Sequence, residues 1–197
     1  MKFQETALKD AFIIEVNRFA DERGYFAEVW REDLAALNGI SDHFSGANLS
    51  YNRHAGTIRG LHAQKSPYAQ TKLVRCVQGR IQDVIVDIRP ESPTFRQWIS
   101  VDLSAENLRM LYVPKGFLHG FQTLEDHTTV MYQVSGQYHP ESELGARYDD
   151  PAFGIDWMAL NPTGSVSGPK LILSDKDQAW PLFELVQADG AAQLVSF

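Results

Sequence analysis

The stretch that decides the fold begins with Arg59-Gly60-Leu61-His62-Ala63-Gln64 and ends with Pro114-Lys115-Gly116-Phe117-Leu118-His119-Gly120-Phe121. A block rich in β-branched residues lies between these two motifs, which is typical of β-strands. Each motif places a histidine near a glycine and an apolar residue on a predicted strand. We therefore expect His62 and His119 to converge inside a small antiparallel barrel that the rest of the chain closes.

Short segments with strand character continue on both sides of this stretch. Turn residues separate them at intervals of about 8–12 residues, the spacing of an all-β sandwich or barrel. Residues 72–79 and 80–89 are predicted to pair as a hairpin at Gly79, and residues 117–124 are predicted to pair with 129–135. The other predicted strands are residues 10–17, 44–53, 97–103 and 108–113.

The chain length indicates a single domain. The 197 residues favour one domain over residues 1–197, with a β-strand core over about residues 10–138. The C-terminal segment, residues 139–197, is predicted to be irregular except for a short helix that begins after Ser174. Another short helix is predicted at residues 31–37.

Charge and composition limit the partners and the location of the protein. The net charge is −7 and no basic stripe is visible, which argues against nucleic acid as a partner. The N-terminus lacks the apolar run of a signal peptide, and no segment approaches membrane-spanning length, so we expect a cytoplasmic protein without a membrane partner. Cys76, the only cysteine, lies in an apolar strand and is predicted to be a buried structural residue.

The motif Pro114-x-Gly116-x-x-His119 resembles the second signature of the cupins and indicates a cupin-like double-stranded β-helix, or jelly roll. The first cupin signature is a His-x-His motif followed by a glutamate. Here His62-Ala63-Gln64 occupies that place, and no glutamate follows before Gly79. One histidine on each side is a poor set for a first-row metal, which takes three or four ligands. We therefore expect no metal, and acid–base chemistry on an organic substrate instead.

Six motifs along the chain resemble one particular family. They are Asp21-Glu22-Arg23-Gly24-x-Phe26-x-Glu28, Arg59-Gly60-Leu61-His62, Ala69-Gln70-x-Lys72-Leu73-Val74-Arg75, Val113-Pro114-x-Gly116-Phe117-x-His119-Gly120-Phe121, Tyr138-x-Pro140-Glu141-x-Glu143 and Leu173-Ser174-x-Lys176-Asp177. Over about residues 10–182, they resemble the dTDP-4-dehydrorhamnose 3,5-epimerases, or RmlC-type epimerases. The resemblance implies a nucleotide-linked 4-keto-6-deoxy sugar that is inverted at C3, C5 or both through an enolate. It also implies that no cofactor is needed, because the C4 ketone is the electron sink.

The resemblance implies catalytic roles for four residues. His62 would be the base, since imidazole titrates near neutral pH. Asp177 would bind the other ring nitrogen of His62 and stabilise the imidazolium. Lys72 would stabilise negative charge on the C4 oxygen. Tyr132 would return a proton on the opposite face of the sugar.

Ordinary structural roles compete with these assignments. The spacing Ser174-x-x-Asp177 is that of a helix capping box, and neighbouring Asp175 is the alternative carboxylate for His62. Lys72 could extend its charge to solvent from an edge strand. Tyr132 could be a core residue with a satisfied hydroxyl group.

His119 has two open roles, a second polar group on the sugar or a buried structural histidine. The alternation along residues 80–89 places Val84, Val86 and Ile88 on one face and Ile81, Asp83, Ile85 and Asp87 on the other. Carboxylates alternating with aliphatic residues are unusual for a plain core. Asp83 is therefore the candidate that orients His119.

The resemblance extends to substrate binding and assembly. The planar fork of arginine suits a diphosphate, and aromatic rings suit a base or a sugar. The substrate-binding candidates are Arg23 and Arg59 for the diphosphate, Phe26 and Tyr138 beside the base or sugar, Glu28 and Asn48 for the base edge or ribose, and Gln70 and His119. The resemblance also implies a homodimer in which the N-terminal chain is exchanged or paired between subunits.

The chain departs from the family pattern at positions expected around the pocket. Ala63 replaces an aromatic residue, Tyr68 a histidine and Met158 a proline, and Gly46-Ala47 stands where a glutamine is common. These departures spare the proposed acid, base and lysine. They leave open the sugar, the nucleotide, and whether C3, C5 or both are inverted.

Three other functions stay open on the sequence. One is a metal cupin, such as a dioxygenase or isomerase. Another is a 3,4-ketoisomerase of 4-keto sugars, and the last is a sugar-nucleotide binding protein without catalysis. They differ in whether a metal is bound, whether the ketone moves to C3, and whether carbon-bound hydrogen exchanges with solvent.

Overall fold

Thirteen strands and two short helices build the part of the chain that the computed structural model describes, residues 1–158 and 170–183. The strands are β1 (Lys2–Glu5), β2 (Phe12–Glu15), β3 (Phe19–Asp21), β4 (Gly24–Phe26), β5 (Gly46–Asn52), β6 (Ile58–Gln64), β7 (Lys72–Gln78), β8 (Arg80–Asp87), β9 (Trp98–Ser104), β10 (Met110–Val113), β11 (Phe117–Thr123), β12 (Thr128–Val134) and β13 (Glu143–Gly145). The helices are α1 (Glu32–Leu37) and α2 (Asp175–Gln178), and a 3-10 turn spans Pro140–Ser142.

Two antiparallel sheets pack face to face. The first has the strand order β1-β2-β10-β7-β12-β5, and the second has the order β13-β6-β11-β8-β9. Strands β3 and β4 form a separate two-stranded ribbon. From β5 to β13 the chain crosses between the two sheets at every connection except the one from β8 to β9. This alternation is a jelly-roll arrangement, so the predicted fold class is confirmed.

The predicted hairpin between residues 72–79 and 80–89 is wrong. Strand β7 pairs with β10 and β12 in the first sheet, whereas β8 pairs with β9 and β11 in the second. Gly79 alone connects them with a φ of 76°, and a Cβ atom there would lie 2.4 Å from Oγ1 of Thr128. Tight hairpins commonly use two loop residues. Here a single glycine instead turns the chain through a corner from one sheet to the other.

The pair predicted between residues 117–124 and 129–135 is wrong in the same way. Both segments form strands close to the predicted bounds, as β11 and β12. However, β11 pairs with β6 and β8, and β12 pairs with β5 and β7. The turn residues between them mark where one strand ends, but they do not determine which sheet the next strand joins.

Strand β8 is buried on both faces. Ile81 and Ile85 face the main core between the sheets, where Cys76 is also buried as predicted. Val84 and Val86 face a second cluster, in which Trp157 from the segment after β13 is almost fully buried. The predicted alternation along this strand is therefore confirmed, and the C-terminal segment covers the outer face of the second sheet.

Both predicted short helices form. Helix α2 begins after Ser174, whose Oγ accepts a hydrogen bond from the backbone N–H of Asp177 at 3.1 Å. Within the two described ranges, no helix is long and apolar enough to cross a membrane. The Gly/Pro/Ser-rich stretch at residues 161–169, predicted to be irregular, lies outside the described residues.

Candidate active site

Two glycines allow the strands that carry the histidines to approach each other closely. Strands β6 and β11 pair so that His62 lies opposite His119. A Cβ atom on Gly60, which has a φ of 109°, would lie 2.6 Å from the carbonyl oxygen of His119. A Cβ atom on Gly120 would lie 2.7 Å from the carbonyl oxygen of Arg59. Both histidines border the same cavity, so the predicted convergence is confirmed.

The four residues proposed for catalysis line one cavity, called here the first cavity, of about 380 Å³. His62 reaches it from β6, Lys72 from β7, Tyr132 from β12 and Asp177 from α2. Because β6 belongs to one sheet and β7 and β12 to the other, His62 faces Lys72 and Tyr132 across the space between the sheets. The fold therefore brings together side chains that lie far apart in the sequence.

A second cavity of about 640 Å³ adjoins the first. The two cavities share His62, Lys72, Tyr132 and Lys176 as lining residues. Further residues of the second cavity that bear on binding are Asn48, Gln64, Gln70, Tyr138 and Glu143. The cavities therefore form a two-part cleft with the proposed acid, base and lysine at the junction.

The environment of His62 keeps its imidazole neutral. Burial is the main cause that lowers the pKa of His62 from its ordinary 6.5 to about 3. The positive charge of Lys72 acts in the same direction, and the nearby His119 and Lys176 add to it. At neutral pH the ring is therefore unprotonated, which is the form that a general base requires.

Lys72 points into the cleft from an interior strand. Strand β7 lies between β10 and β12, so the alternative of an edge-strand lysine is wrong. Burial lowers the pKa of Lys72 from 10.5 to about 8, although the carboxylates of Asp83 and Glu143 oppose this shift. The ammonium group is still mostly charged at neutral pH. It is placed to stabilise negative charge that develops in the cavity.

Tyr132 packs against the main core and also lines both cavities. It lies opposite Asn48 of β5 in the sheet. Burial raises the pKa of its hydroxyl group, and the positive charge of Arg59 opposes this increase. The phenol is therefore protonated at neutral pH and can act as an acid.

Asp177 lines the first cavity but does not bind His62 directly. The carboxylate is 6% exposed, and its Oδ2 accepts a hydrogen bond from Oγ of Ser174 at 2.8 Å. The described residues show no hydrogen bond between this carboxylate and the His62 ring, so the direct bond predicted for the pair is corrected. The Asp177 carboxylate instead bonds with Ser174 at the N-terminus of α2, as the capping-box spacing indicated. The alternative, Asp175, is exposed and borders neither cavity.

His119 is oriented by a buried carboxylate. Its Nε2 lies 2.8 Å from Oδ1 of Asp83, and both side chains are almost completely buried. The prediction that Asp83 orients His119 is therefore confirmed. Oδ2 of Asp83 is also buried and has no hydrogen-bond partner among the described residues. His119 therefore lines the first cavity beside His62, and Asp83 holds it from behind.

Besides His119, four of the proposed binding residues lie in the cleft. Arg59 lines the first cavity, and its Nε donates a hydrogen bond to Oδ1 of Asn52 at 2.7 Å. Asn48, Gln70 and Tyr138 line the second cavity. The Tyr138 ring is 59% exposed. These residues surround the space beyond the proposed acid and base.

Three other proposed binding residues lie outside both cavities. Arg23 is on the exposed turn of the β3–β4 ribbon, where it pairs with Asp21. Phe26 is 69% exposed and borders a separate surface groove. Glu28 is exposed and lies 3.8 Å from Arg31. Within one chain, the structure therefore does not bring Arg23, Phe26 and Glu28 to His62.

The structure adds two residues, Lys176 and Glu143, to the candidates that the sequence predicted for the cleft. Lys176 borders both cavities, and its Nζ donates hydrogen bonds to both carboxylate oxygens of Glu143 at 2.7 and 2.6 Å. Glu143 also accepts a hydrogen bond from the Tyr138 hydroxyl group at 3.2 Å. Lys176 and Glu143 were both present in the quoted motifs, which was the available signal. Their pairing depends on the fold.

The positions at which the chain departs from the family pattern lie partly inside and partly outside the cleft. Ala63 and Gly46 line the second cavity. Tyr68 stacks on the ring of His139, and Met158 lines neither cavity. In the described ranges, no group of three or more His, Cys, Asp or Glu side chains is placed to hold a metal ion.

The fold and the cleft together define a jelly-roll protein that is suited to acid–base chemistry on a bound organic molecule. A family model described as dTDP-4-dehydrorhamnose 3,5-epimerase matches residues 5–184. The chain belongs to this family. The prediction of a sugar-nucleotide epimerase, an isomerase, is therefore confirmed at the level of the family.

Individual relatives agree over nearly the full length. The dTDP-4-dehydrorhamnose 3,5-epimerase of Sinorhizobium fredii is 42% identical over 181 residues, which cover 92% of this chain and 89% of that protein. The crystal structure of the Bacillus anthracis enzyme of the same name, with TDP and PPi bound, matches with a TM-score of 0.85 and 46% identity. It covers 92% of this chain and 99% of that chain. The RmlC epimerase of Mycobacterium tuberculosis matches with a TM-score of 0.87 and 40% identity, over 96% of this chain and 92% of that chain.

Proposed function

We propose that this protein is a dTDP-4-dehydrorhamnose 3,5-epimerase. It inverts C3 and C5 of a nucleotide-linked 4-keto-6-deoxy sugar by removing and returning protons. The observation that carries the proposal is the placement of His62, Lys72 and Tyr132 around one cavity, from strands of two facing sheets. The relatives named above support the dTDP carrier and the choice of both carbons.

His62 is the proposed base. Its neutral imidazole removes a proton from a carbon next to the C4 ketone, and the enolate that forms needs no cofactor because the ketone accepts the electron pair. The positive charges around His62 disfavour the imidazolium in the free protein. The negative charge of the bound diphosphate and of the enolate offsets them, so proton removal becomes favourable once substrate fills the cleft.

Lys72 and Tyr132 complete the proposed reaction. The Lys72 ammonium group is paired with the C4 oxygen, where negative charge develops in the enolate. Tyr132 comes from the sheet opposite to that of His62. Its protonated hydroxyl group therefore returns a proton to the face of the sugar opposite to the base, which inverts the carbon.

Asp177 and His119 have supporting roles in this proposal. Asp177 places a buried negative charge on the wall of the first cavity, which favours the imidazolium that forms during the reaction. Its Oδ2 is held by the Ser174 hydroxyl group, which fixes the carboxylate in that place. His119, held by Asp83, presents a fixed polar group to the sugar.

Substrate binding follows the two-part cleft. Arg59 binds the diphosphate from the first cavity, and Tyr138 stacks on the base at the second cavity, where Asn48 and Gln70 supply hydrogen bonds. The exposed aromatic ring of Tyr138 supports this assignment, because a ring left in solvent contributes little to the fold.

The proposal includes a homodimer in which the β3–β4 ribbon of each subunit reaches the cleft of its partner. The ribbon exposes Phe19, Tyr25 and Phe26, and β5 exposes Leu49 and Tyr51. Large apolar side chains grouped on a surface favour a protein interface. Such a dimer gives Arg23, Phe26 and Glu28 a place beside the substrate that their own cleft does not.

Solvent exchange tests the proposed reaction. The protein is incubated with dTDP-4-keto-6-deoxyglucose in D₂O and the sugar is followed by NMR. We expect deuterium at both C3 and C5, with inversion at both carbons. Deuterium at one carbon alone would indicate a single-carbon epimerase, and movement of the ketone to C3 would indicate a ketoisomerase. Binding without any exchange at carbon would contradict an epimerase.

A further inference from the structure

Gln64 is a buried amide that joins two loops at the rim of the second cavity. It lies on β6, two residues after His62, and is 6% exposed. Its Nε2 donates hydrogen bonds to the carbonyl oxygens of Tyr68 at 2.8 Å and Gln137 at 3.2 Å. Its Oε1 accepts the backbone N–H of His139 at 2.6 Å. All three of these hydrogen bonds join the amide to backbone groups.

The partners of Gln64 belong to the loops that follow β6 and β12. The first loop leads into β7, which begins at Lys72, and the second follows the strand that carries Tyr132. Other bonds join the same loops: Nε2 of Gln70 donates to the carbonyl oxygen of Gly136 at 3.1 Å. The rings of Tyr68 and His139, one from each loop, stack with their centroids 3.4 Å apart.

The Gln64 side chain binds the residues on both sides of Tyr138. The carbonyl group of Gln137 and the N–H group of His139 both bind Gln64. The Tyr138 ring itself remains largely exposed on the second cavity, and its hydroxyl group donates to Glu143. A buried residue thus fixes the backbone, while the aromatic ring is left free to contact a ligand.

We infer that Gln64 is a positioning residue that holds Tyr138 in the conformation that stacks on the nucleobase. The inference rests on the proposed function, which supplies the nucleotide. A ring that is already ordered loses less conformational freedom on binding, and therefore binds more tightly than a mobile one. Because its hydrogen bonds hold the backbone on both sides of Tyr138, Gln64 affects nucleotide affinity more than the chemical step.

Gln82 provides a matched control. It is 2% exposed, its Nε2 donates to the carbonyl oxygen of Asp156 at 2.8 Å, and its Oε1 accepts the N–H of Met158 at 2.7 Å. It therefore bridges backbone groups of a loop in the same manner as Gln64, but it borders neither cavity. Replacing either glutamine by methionine keeps similar volume and leaves comparable backbone groups without their partner.

The test is titration of the full-length protein with dTDP by calorimetry, together with steady-state kinetics. We expect Gln64→Met to raise the Kd for dTDP at least about fivefold and to raise KM in parallel, with kcat within about twofold of wild type, as for a loss of uniform binding. We expect Gln82→Met to keep the dTDP affinity within about twofold, even if its melting temperature falls as much as that of Gln64→Met. Equal losses of affinity in the two variants would overturn the inference.

A double-mutant cycle separates an effect through Tyr138 from any other effect. In a Tyr138→Ala background, Gln64→Met should change the Kd for dTDP less than about twofold, because the ring that it positions is already gone. An undiminished loss in that background would refute the positioning role. Gln64→Asn, which keeps the amide but is too short to join both loops, serves where the methionine variant does not fold. It should weaken dTDP binding in the same direction, and wild-type affinity in this variant would refute the role.

These titrations need no turnover, so they are independent of the proposed reaction. A wild-type protein that binds dTDP but exchanges no carbon-bound hydrogen would refute the epimerase and not the positioning role. A Gln64→Met variant with wild-type dTDP affinity would refute the positioning role and not the epimerase.

Discussion

Two regions carry proposed functional residues, and they differ in burial. One is the wall of the cleft, formed by the strands that carry His62, Lys72 and Tyr132, and the other is the β3–β4 ribbon. His62, Lys72 and Tyr132 lie on interior strands that are paired on both sides, and their environments shift their pKa values. Arg23 and Phe26 lie on a ribbon whose residues are all exposed, and they face no part of the cleft of their own chain. The wall is therefore built within one subunit, whereas the ribbon has a use only if something else packs against it.

This difference suggests separate roles: the wall carries out the proton transfers, and the ribbon binds the substrate. Groups that transfer protons must be held rigidly in a site shielded from water, which the facing sheets provide. Groups that bind the ends of a long substrate can lie on an exposed element that reaches the substrate only on binding or assembly. Changes in the wall should therefore reduce kcat, and changes in the ribbon should raise KM.

The largest effect among these comparisons is expected for Lys72→Met. Loss of the ammonium group beside the enolate oxygen should lower kcat by about 10²–10³-fold, the range seen when a donor to a developing oxyanion is removed. KM should change much less, which steady-state kinetics will show. A variant that retains near-wild-type kcat would mean that Lys72 is not paired with the C4 oxygen.

In the proposed homodimer, residues of the ribbon should affect substrate binding in the cleft of the partner subunit. Arg23→Glu should raise KM by at least about tenfold, because a carboxylate replaces a cation beside the diphosphate. Arg147→Ala is the matched control, since Arg147 makes the same forked contact with Asp149 on the surface but lies away from the cleft. We expect its KM to be that of wild type.

Mixing subunits sharpens this comparison further, when activity is assayed at substrate concentrations well below KM, where Arg23→Glu retains at most about a tenth of the wild-type rate. If the ribbon serves the partner, a mixed dimer of Arg23→Glu and His62→Asn chains contains one intact site. Equal mixing should then restore activity to about a quarter of the wild-type value, since half of the dimers are mixed and each has one intact site of two. The absence of recovery under conditions in which mixed dimers form would contradict a shared site.

The pH profile should reflect the wall alone. The pKa of Lys72 is lowered to about 8, and the protonated form is the one that stabilises the enolate. The rate should therefore be level at neutral pH and fall by about tenfold per pH unit above pH 8. The pKa of His62, about 3, keeps the base in its active form throughout the neutral range. A decline centred near pH 10 would contradict the lowered pKa of Lys72.

The smallest expected effect is on stability. Because folding lowers the pKa of Lys72 from 10.5 to about 8, the buried charge destabilises the fold below pH 8, and this cost disappears as pH rises toward 10.5. Lys72→Met should therefore raise the free energy of unfolding at pH 7 by about 1 kcal/mol, and the gain should shrink at pH 10. Urea unfolding at both pH values measures this, and a destabilised variant would contradict the account.

The wall could be predicted largely from the sequence, because its features are local. Alternation along residues 80–89 predicted which side chains share a face, and the two motifs that place a glycine near His62 and near His119 predicted that the two histidines meet. The pairing of strands could not be predicted, because Gly79 shows only that the chain turns. Whether the next strand stays in the sheet or crosses to the other one depends on distant partners.

Other parts of the site depend on contacts that spacing does not reveal. Gln64 binds His139 over a separation of 75 residues, and Lys176 binds Glu143 over 33. The capping role of Asp177 was visible in its spacing because Ser174 is only three residues away. In the proposed homodimer the ribbon lies beside the cleft of the partner, and neither the sequence pattern nor one folded chain determines such an arrangement.

The central claim is that neutral His62 removes the proton and Tyr132, across the cavity, returns it. The most direct test follows deuterium entering C3 and C5 of the keto sugar from D₂O with His62→Asn and Tyr132→Phe. We predict that His62→Asn exchanges neither position, and that Tyr132→Phe still exchanges deuterium but no longer inverts the carbons. Exchange at the wild-type rate in His62→Asn, or full inversion in Tyr132→Phe, would contradict this account.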